Sequence, residues 1–280
     1  MKSALLLAVI INFATAIYPV AIFHGIGRSC SDVQEGVEWI LENLDGVYVK
    51  CIETGAEFSS WTSSFKSQFK NGCDAINADP NFHKEFSILG FSQGALLGRM
   101  IIEACDMPGV VKRFISVGGP HMGVASIPHC EGGALCDMIN TIAGAAVYHT
   151  IPQQIVGPAG YFKDMDNYDK YLEKSILAEI NNEKSYKTYI YKQRFSSLEK
   201  LVLIKFSKDK MIIPKETAWF QFYDNNLNVM KLENSDFYKH DYIGLRHLVE
   251  SGKVEFVELE GEHLEFEGHE MMNYMIYPLK

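Results

Sequence analysis

Residues 86–98 read FSILGFSQGALLG, and they join two apolar runs of different periodicity. The run EFSILGF at 85–91 has the composition of a buried strand, whereas the stretch from Gln93 to Cys105 has helical spacing. Turns are usually rich in Asn, Asp or Pro, but this junction is Gly90-Phe91-Ser92-Gln93-Gly94. A GxSxG pattern at a strand-to-helix turn predicts a serine in strained backbone geometry with its hydroxyl above the sheet edge. The glycines lie where neighbouring chain leaves no room for a Cβ.

Strand-like and helix-like stretches alternate outward from this junction. The predicted helices are 32–44, 63–78 and 93–105. The predicted strands are YPVAIF at 18–23, GVYVKCIE at 46–53, EFSILGF at 85–91, VVKRFISVGG at 110–119, LVLIKFS at 201–207 and KVEFVELEG at 253–261. This alternation predicts an α/β fold with a mostly parallel central sheet flanked by helices.

The stretch 121–199 breaks the alternation, because it has helical patches and no convincing strand. Its clearest pattern is one amphipathic face formed by Leu135, Ile139, Ile142 and Ala146. Two interpretations are open: a helix packed on the main core, or a largely helical cap inserted between sheet strands and covering a pocket. The aromatic cluster Trp219, Phe220 and Phe222 could also line such a pocket, but we expect it to pack in the core.

Composition and the N-terminus limit the class of protein. The chain has 280 residues, 47% of them hydrophobic, which fits one elaborated domain over 17–280. A net charge of −9 without a basic stripe argues against a nucleic-acid partner. Residues 1–16, MKSALLLAVIINFATA, have the pattern of a secretory signal peptide cleaved before Ile17. A membrane anchor is a weaker interpretation, because the apolar stretch is short and no later segment has 18 consecutive apolar residues.

The six cysteines of an exported chain predict disulfides rather than a metal site, and none has paired CxxC spacing. Cys130 and Cys136 bracket a short loop, EGGAL, and can close it locally, while spacing leaves the remaining pairing open. No Asn-x-Ser/Thr acceptor occurs in the chain, so we do not expect ordinary N-glycosylation or a delivery route that depends on it.

A nucleophilic Ser92 needs a histidine to take its proton and a carboxylate to orient that histidine. In α/β-hydrolases these partners follow late strands in the order Ser, Asp, His. Asp209 directly follows LVLIKFS and His263 directly follows KVEFVELEG, which makes them the candidates. The rival histidines are His240, His247 and His269, and the rival carboxylates are Asp224 and Asp236, all less well placed relative to strand ends.

An oxyanion hole needs one backbone N–H after the nucleophile, here that of Gln93, and one from the loop after the first strand. In HGIGRS at 24–29 the expected donor is Ile26, and His24 is expected to structure the loop. A dinucleotide-binding loop is the competing interpretation of Gly25-x-Gly27, but Cys30 stands where the third glycine should be.

With these pieces assembled, the chain resembles the palmitoyl-protein thioesterase family of α/β-hydrolases. The resemblance spans the mature chain and is carried by IFHGIGRSC, GFSQG, ISVGGPHMGV, CEGGALCDMI, LIKFSKDKMIIPKETAWFQFY and EGEHLEF. It implies an α/β-hydrolase fold and hydrolysis of long-chain fatty acyl thioesters on cysteines of proteins or peptides, without a cofactor, usually in lysosomes.

The resemblance also implies Ser92, Asp209 and His263 as the triad and Ile26 and Gln93 as oxyanion donors. For the cysteines it implies Cys73–Cys105 and Cys130–Cys136, with a third bridge between Cys30 and Cys51 left possible. It further implies N-glycosylation, from which this chain departs. The enzymatic alternative is a secreted lipase or carboxylesterase with the same triad acting on oxygen esters. A catalytically inactive lipid-binding protein on this fold would usually lack a triad member, and here all three are present.

Overall fold

A computed structural model describes residues 17–125 and 144–280. Its core is one six-stranded sheet in which every neighbouring pair of strands is parallel. The strands are β1 (Val20–Phe23), β2 (Val49–Cys51), β3 (Glu85–Phe91), β4 (Val110–Val117), β5 (Lys200–Phe206) and β6 (Val254–Leu259), in the spatial order β2-β1-β3-β4-β5-β6. All six lie within or across the stretches predicted from the sequence, and the predicted parallel sheet is confirmed.

Helices flank this sheet on both faces. The α-helices are α1 (Gln34–Asn43), α2 (Ser59–Thr62), α3 (Phe65–Asn77), α4 (Gln93–Ala104), α5 (Thr150–Ile155), α6 (Tyr168–Lys174), α7 (Ile176–Ile180), α8 (Tyr189–Ser196), α9 (Asp236–Lys239), α10 (Leu245–Glu250) and α11 (Gly268–Met271). Short 3₁₀ helices cover Cys30–Val33, Pro80–Phe82, Gly144–Tyr148, Pro158–Tyr161, Lys215–Trp219, Leu232–Asn234 and Tyr277–Leu279, and a π-helical turn covers Met272–Ile276.

The sheet is buried on both faces because successive side chains of a strand point to opposite sides. In β5, Leu201 and Leu203 belong to one hydrophobic cluster, with α3 and α4, while Val202, Ile204 and Phe206 belong to the other, with α1 and the C-terminal helices. This two-sided burial explains why the strands read as continuous apolar runs. The parallel direction of all six strands puts their carboxyl ends at the same sheet edge.

Of the segment between β4 and β5, residues 118–125 and 144–199 are described, and the second stretch contains α5 to α8 and two 3₁₀ helices. It packs through Tyr161, Phe162 and Leu177 into the cluster that also contains α4. Leu135, Ile139 and Ile142 lie outside the described residues, and Ala146 is exposed. Of the aromatic cluster, Phe220 and Phe222 are buried in the same cluster and Trp219 packs against it, so the expectation of core packing is confirmed.

Two disulfides cross-link the described chain. Cys73–Cys105 joins α3 to the end of α4, and Cys30–Cys51 joins the segment after β1 to the end of β2. The predicted pair Cys130 and Cys136 lies outside the described residues, as does the predicted signal peptide at 1–16. Among the helices of 17–125 and 144–280, none has the length and apolar character needed to cross a bilayer.

Candidate active site

Ser92 occupies a sharp turn between β3 and α4. Its backbone angles are φ 52° and ψ −123°, a conformation that side-chain-bearing residues rarely adopt. The Ser92 N–H donates to the carbonyl of Val117 at 2.8 Å, which fixes the turn against β4. Strain of this kind persists only where the surrounding structure imposes it. Here the strained turn places the serine at the carboxyl edge of the sheet.

Gly90 and Gly94 allow this turn to pack tightly. A Cβ on Gly90 would lie 2.5 Å from the Cα of Ala95, and one on Gly94 would lie 2.3 Å from the carbonyl oxygen of His24. Both contacts are with backbone atoms, which cannot move aside as the end of a side chain can. The two glycines predicted for steric reasons therefore lie where a Cβ would collide.

Asp209, His263 and Ser92 form a continuous hydrogen-bonded row. His263 Nε2 lies 2.8 Å from Ser92 Oγ, and His263 Nδ1 lies 2.6 Å from Asp209 Oδ2. The other oxygen, Asp209 Oδ1, accepts the backbone N–H groups of Met211 and Ile212 at 2.8 and 3.0 Å. The side chains of His263 and Asp209 are only 8% and 3% exposed, so the pair is shielded from solvent.

The rival residues lie elsewhere. His240, His247 and His269 are exposed, and His269 pairs with Glu267 beside it. Asp224 Oδ1 accepts backbone N–H groups from Asn226 and Asn228 in its own turn. Asp236 is exposed at the start of α9. The structure thus brings together Ser92, Asp209 and His263 and none of these five alternatives.

The loop after β1 lies directly against the serine. A Cβ on Gly25 would come within 3.3 Å of the Ser92 Cβ. His24 is buried and makes hydrogen bonds through both ring nitrogens, to the carbonyl of Gly25 at 2.9 Å and to Glu53 Oε1 at 2.7 Å. His24 therefore holds the loop, as the sequence suggested. The oxyanion role of the Ile26 and Gln93 amides stays a prediction.

His24, Cys30 and Glu53 have side-chain donor atoms within 4.8 Å of one another, a spacing that metal ligands can have. The sulfur of Cys30 is bonded to Cys51, however, and is not a free thiolate. Glu53 instead accepts the N–H of Cys30 and bonds His24. These contacts fit a structural clamp on the loop after β1.

Sequence reasoning missed a buried polar row beside the elbow. The Gln93 side chain donates from Nε2 to Gln68 Oε1 at 2.8 Å and accepts at Oε1 from the Tyr161 hydroxyl at 2.9 Å. Gln68 is wholly buried and Tyr161 nearly so. Burial raises the pKa of Tyr161 well above its usual value, so its hydroxyl stays protonated and donates. An isolated Gln in a helix pattern gave no signal of this network.

A cavity of about 480 Å³ adjoins the catalytic row. Three of its lining residues are neighbours of the catalytic residues: Gly25 lies beside Ser92, Phe91 precedes Ser92, and Leu264 follows His263. Trp39, Phe266 and Met271 supply apolar wall, while Arg28, Asp32 and Glu35 make part of the lining charged. A partly apolar space beside a nucleophile is suited to a substrate that has a hydrophobic part and a polar part.

The model of the palmitoyl protein thioesterase family matches residues 19–263, which include β1 to β6 and the whole Ser92–His263–Asp209 row. The chain belongs to the palmitoyl protein thioesterase family. The family's match begins just after the predicted signal peptide and ends on His263.

Two curated relatives support the assignment. The chain is similar to palmitoyl-protein thioesterase 1 of Caenorhabditis elegans, with 32% identity covering 94% of this chain and 92% of the relative. It is also similar to palmitoyl-protein thioesterase 3 of Dictyostelium discoideum, with 34% identity covering 90% and 87%. The resemblance inferred from the sequence is confirmed.

Among solved structures, a monoacylglycerol lipase of Paleococcus ferrophilus superposes with a TM-score of 0.52. The comparison covers 94% of this chain and 95% of the lipase at 12% sequence identity. Such low identity speaks for the fold alone. The predicted α/β-hydrolase fold is confirmed for this palmitoyl protein thioesterase family member.

Proposed function

We propose that this chain hydrolyses the thioester between a long-chain fatty acid such as palmitate and a cysteine of a protein or peptide. The observation that carries the proposal is the row of hydrogen bonds from Asp209 through His263 to Ser92 in a chain of this family. Water and the chain's own side chains suffice for the reaction, so no cofactor is needed.

Ser92 Oγ attacks the thioester carbonyl while His263 Nε2 takes its proton, and Asp209 holds the imidazole in the tautomer that leaves Nε2 free to accept. The developing oxyanion is stabilised by the amides of Gln93 and Ile26. The cysteine sulfur leaves as the carbonyl re-forms and takes the proton from His263. Water then attacks the acyl-serine with His263 again as base, which releases the fatty acid and restores Ser92.

Among thioesters, substrate preference depends more on the acyl chain than on the leaving group. A thiol of pKa about 8.5 leaves readily, so activation of the departing group adds little. Each buried methylene contributes about 0.8 kcal/mol, and ten of them would contribute roughly 8 kcal/mol before ordering costs. We infer that the segment 121–199 forms a helical cap over the site and supplies walls for that chain.

The disulfides and the N-terminal sequence indicate the compartment in which the protein acts. Two disulfides in the described chain indicate an oxidising environment. We propose that residues 1–16 direct the chain into the secretory pathway and are removed, and that the mature protein of 17–280 acts in the lysosome or vacuole or is secreted. Sorting would not use an N-glycan, because the sequence has no acceptor.

Matched substrates test the function. A peptide carrying a palmitoyl-cysteine is compared with the same peptide carrying a palmitoyl-serine, using the wild type and Ser92→Ala. We expect strong preference for the thioester and loss of both activities in the variant. Equal or faster ester cleavage would place the enzyme among lipases and carboxylesterases with the same site. Thioester hydrolysis that survives in Ser92→Ala would exclude Ser92 as the nucleophile.

A further inference from the structure

A single chain of hydrogen bonds, buried from Ser60 onward, links the two backbone segments that would form the oxyanion hole. Gly27 N–H donates to Ser60 Oγ at 2.7 Å, and Gln68 Nε2 donates to the Ser60 carbonyl at 2.8 Å. Gln93 Nε2 in turn donates to Gln68 Oε1 at 2.8 Å, and the Tyr161 hydroxyl donates to Gln93 Oε1 at 2.9 Å. Gly27 directly follows Ile26, and Gln93 directly follows Ser92.

We propose that Gln68 is a positioning residue that sets the spacing between the Ile26 and Gln93 amides. The inference rests on the proposed acyl-transfer function, because it assigns these two amides to the oxyanion. Gln68 touches neither the substrate nor Ser92 in this arrangement. It acts through Ser60 on the first donor segment and through the Gln93 side chain on the second.

The Gln68 amide has no freedom to rotate without losing bonds. Its nitrogen donates to two carbonyls, those of Ser60 and Ser63 at 2.8 and 2.9 Å, and its oxygen accepts from Gln93. A flipped amide would place its oxygen against two carbonyl oxygens and its nitrogen against another N–H donor. Because Gln68 is wholly buried, water cannot replace a lost partner, and an unpaired polar group there is costly.

The backbone around Gly157 packs against Ser60 and Gln68 and helps to hold both in place. Gly157 N–H donates to the Trp61 carbonyl at 2.9 Å, and a Cβ on Gly157 would lie 2.6 Å from the Ser60 oxygen and 2.9 Å from Gln68 Nε2. Tyr161 lies in the same segment as Gly157, so the region between β4 and β5 closes over the row and bonds its far end. The position of the oxyanion donors is thereby connected to the docking of that segment.

Loss of Gln68 should affect the transition state and not the binding of the substrate. Preorganised donors stabilise an oxyanion only when they lie at the right place, and a misplacement of 1 Å can cost about 100-fold in rate. Ground-state binding of the acyl chain does not depend on these amides. Loss of Gln68 should therefore lower kcat and leave KM nearly unchanged.

The test uses the mature chain with Gln68→Leu and Tyr161→Phe, and Tyr148→Phe as the matched control. Tyr148 is a buried tyrosine of the same segment whose hydroxyl bonds Phe162 and Asp164. Each variant is measured for kcat and KM on the palmitoyl-cysteine peptide. Two inhibitors are bound in parallel: a palmityl trifluoromethyl ketone, which forms an oxyanion on Ser92, and a peptide with a non-hydrolysable thioether in place of the thioester.

We expect Gln68→Leu to lower kcat about 10- to 100-fold and to weaken the ketone by the same factor, with thioether affinity unchanged. Tyr161→Phe should do the same to a smaller extent, and Tyr148→Phe should leave kcat unchanged. The inference is overturned if folded Gln68→Leu keeps its kcat, or if both inhibitors weaken equally. If Gln68→Leu does not fold, equal kcat in Tyr161→Phe and Tyr148→Phe overturns it.

Failure of the proposed function would give a different result. A wild type that prefers the palmitoyl-serine peptide would contradict the thioesterase proposal. The kcat values of the variants would then be measured on that ester, and the binding of the ketone would be compared as before. The same outcomes would decide the role of Gln68.

Discussion

Asp209 Oδ2 lies 2.6 Å from His263 Nδ1, while Asp209 Oδ1 is held by two backbone N–H groups of its own loop. The orientation of the carboxylate is therefore fixed by its own loop, independently of His263. Because a carboxylate can only accept hydrogen bonds, the proton between the two groups belongs to Nδ1. This arrangement leaves Nε2 as the atom that faces Ser92 and takes its proton. Asp209 Oδ2 is thus the atom that sets the tautomer of His263, and its replacement by a donor should lower catalysis.

Replacing Asp209 with Asn should abolish most activity without unfolding the chain. An amide can donate to Nδ1, which favours the histidine tautomer that cannot accept from Ser92. We expect kcat on the palmitoyl-cysteine peptide to fall roughly 10³- to 10⁴-fold. Asp224→Asn is the matched control, because Asp224 also accepts two N–H groups of its own turn. A similar loss in both variants would point to loop stability rather than to the histidine.

Gly94→Ala should destabilise the elbow, because the new Cβ would lie 2.3 and 2.4 Å from the carbonyl oxygens of His24 and Phe23. We expect the free energy of unfolding to fall by about 1–3 kcal/mol or more, with a lower kcat because α4 shifts away from β1. Gly36→Ala serves as the control in urea unfolding. Its nearest contact is the flexible end of Met271, so it should keep full stability. An active, stable Gly94→Ala would contradict the packing described.

The two disulfides should differ in their effect on catalysis. Their sequence separations are 21 and 32 residues, so removing either by paired Cys→Ser changes should lower the free energy of unfolding by about 3–4 kcal/mol. Loss of Cys30–Cys51 should also lower kcat, since Cys30 anchors the loop that contains Ile26. Loss of Cys73–Cys105 should leave kcat close to wild type below the melting temperature. The reverse ranking in kcat would contradict the role given to the loop.

Glu103 should make stability fall as pH rises through its range of titration, because it is wholly buried one turn after Arg99 in α4. Burial raises the pKa of Glu103 from 4.5 to about 8, against the attraction of the Arg99 guanidinium. Between these two values the folded state holds a proton that the unfolded state has released, so unfolding becomes easier with increasing pH. Below pH 6.5 the buried His121 opposes this effect, because burial lowers its pKa well below 6.5 and the unfolded state then binds a proton that the folded state does not. We therefore expect the unfolding free energy of the wild type to decline mainly between pH 6.5 and about 8.

Replacement of that carboxyl isolates its contribution. Glu103→Gln should lose most of the decline between pH 6.5 and about 8, whereas exposed Glu42→Gln should follow the wild type. Urea titrations at closely spaced pH values provide the measurement. Identical pH profiles for the wild type and Glu103→Gln would show that this carboxyl does not bind a proton on folding in that range.

Local patterns were sufficient to predict the sheet and the row of Ser92, Asp209 and His263 as neighbours. Ser92 directly follows β3, Asp209 and His263 lie in the loops after β5 and β6, and parallel strands bring their carboxyl ends to one edge. The link between Gln68, Gln93 and Tyr161 was not predictable, because its partners are 25 and 68 residues apart and none belongs to a motif. Buried polar pairs of that kind depend on how α3 and the segment after β4 pack, which periodicity does not specify. The pairing of Cys30 with Cys51 was likewise left open by spacing and follows from the adjacency of β1 and β2.

The most direct test of the account is the site of acylation during turnover. The mature enzyme is mixed with the palmitoyl-cysteine peptide, quenched in acid within milliseconds, digested and examined by mass spectrometry, with His263→Ala as a comparison. We predict a palmitoyl group on the peptide that contains Ser92, at a level that is lost in His263→Ala. Palmitate found on another residue during turnover would contradict the central claim. So would turnover without any acyl-enzyme, under conditions that trap one on a known serine thioesterase.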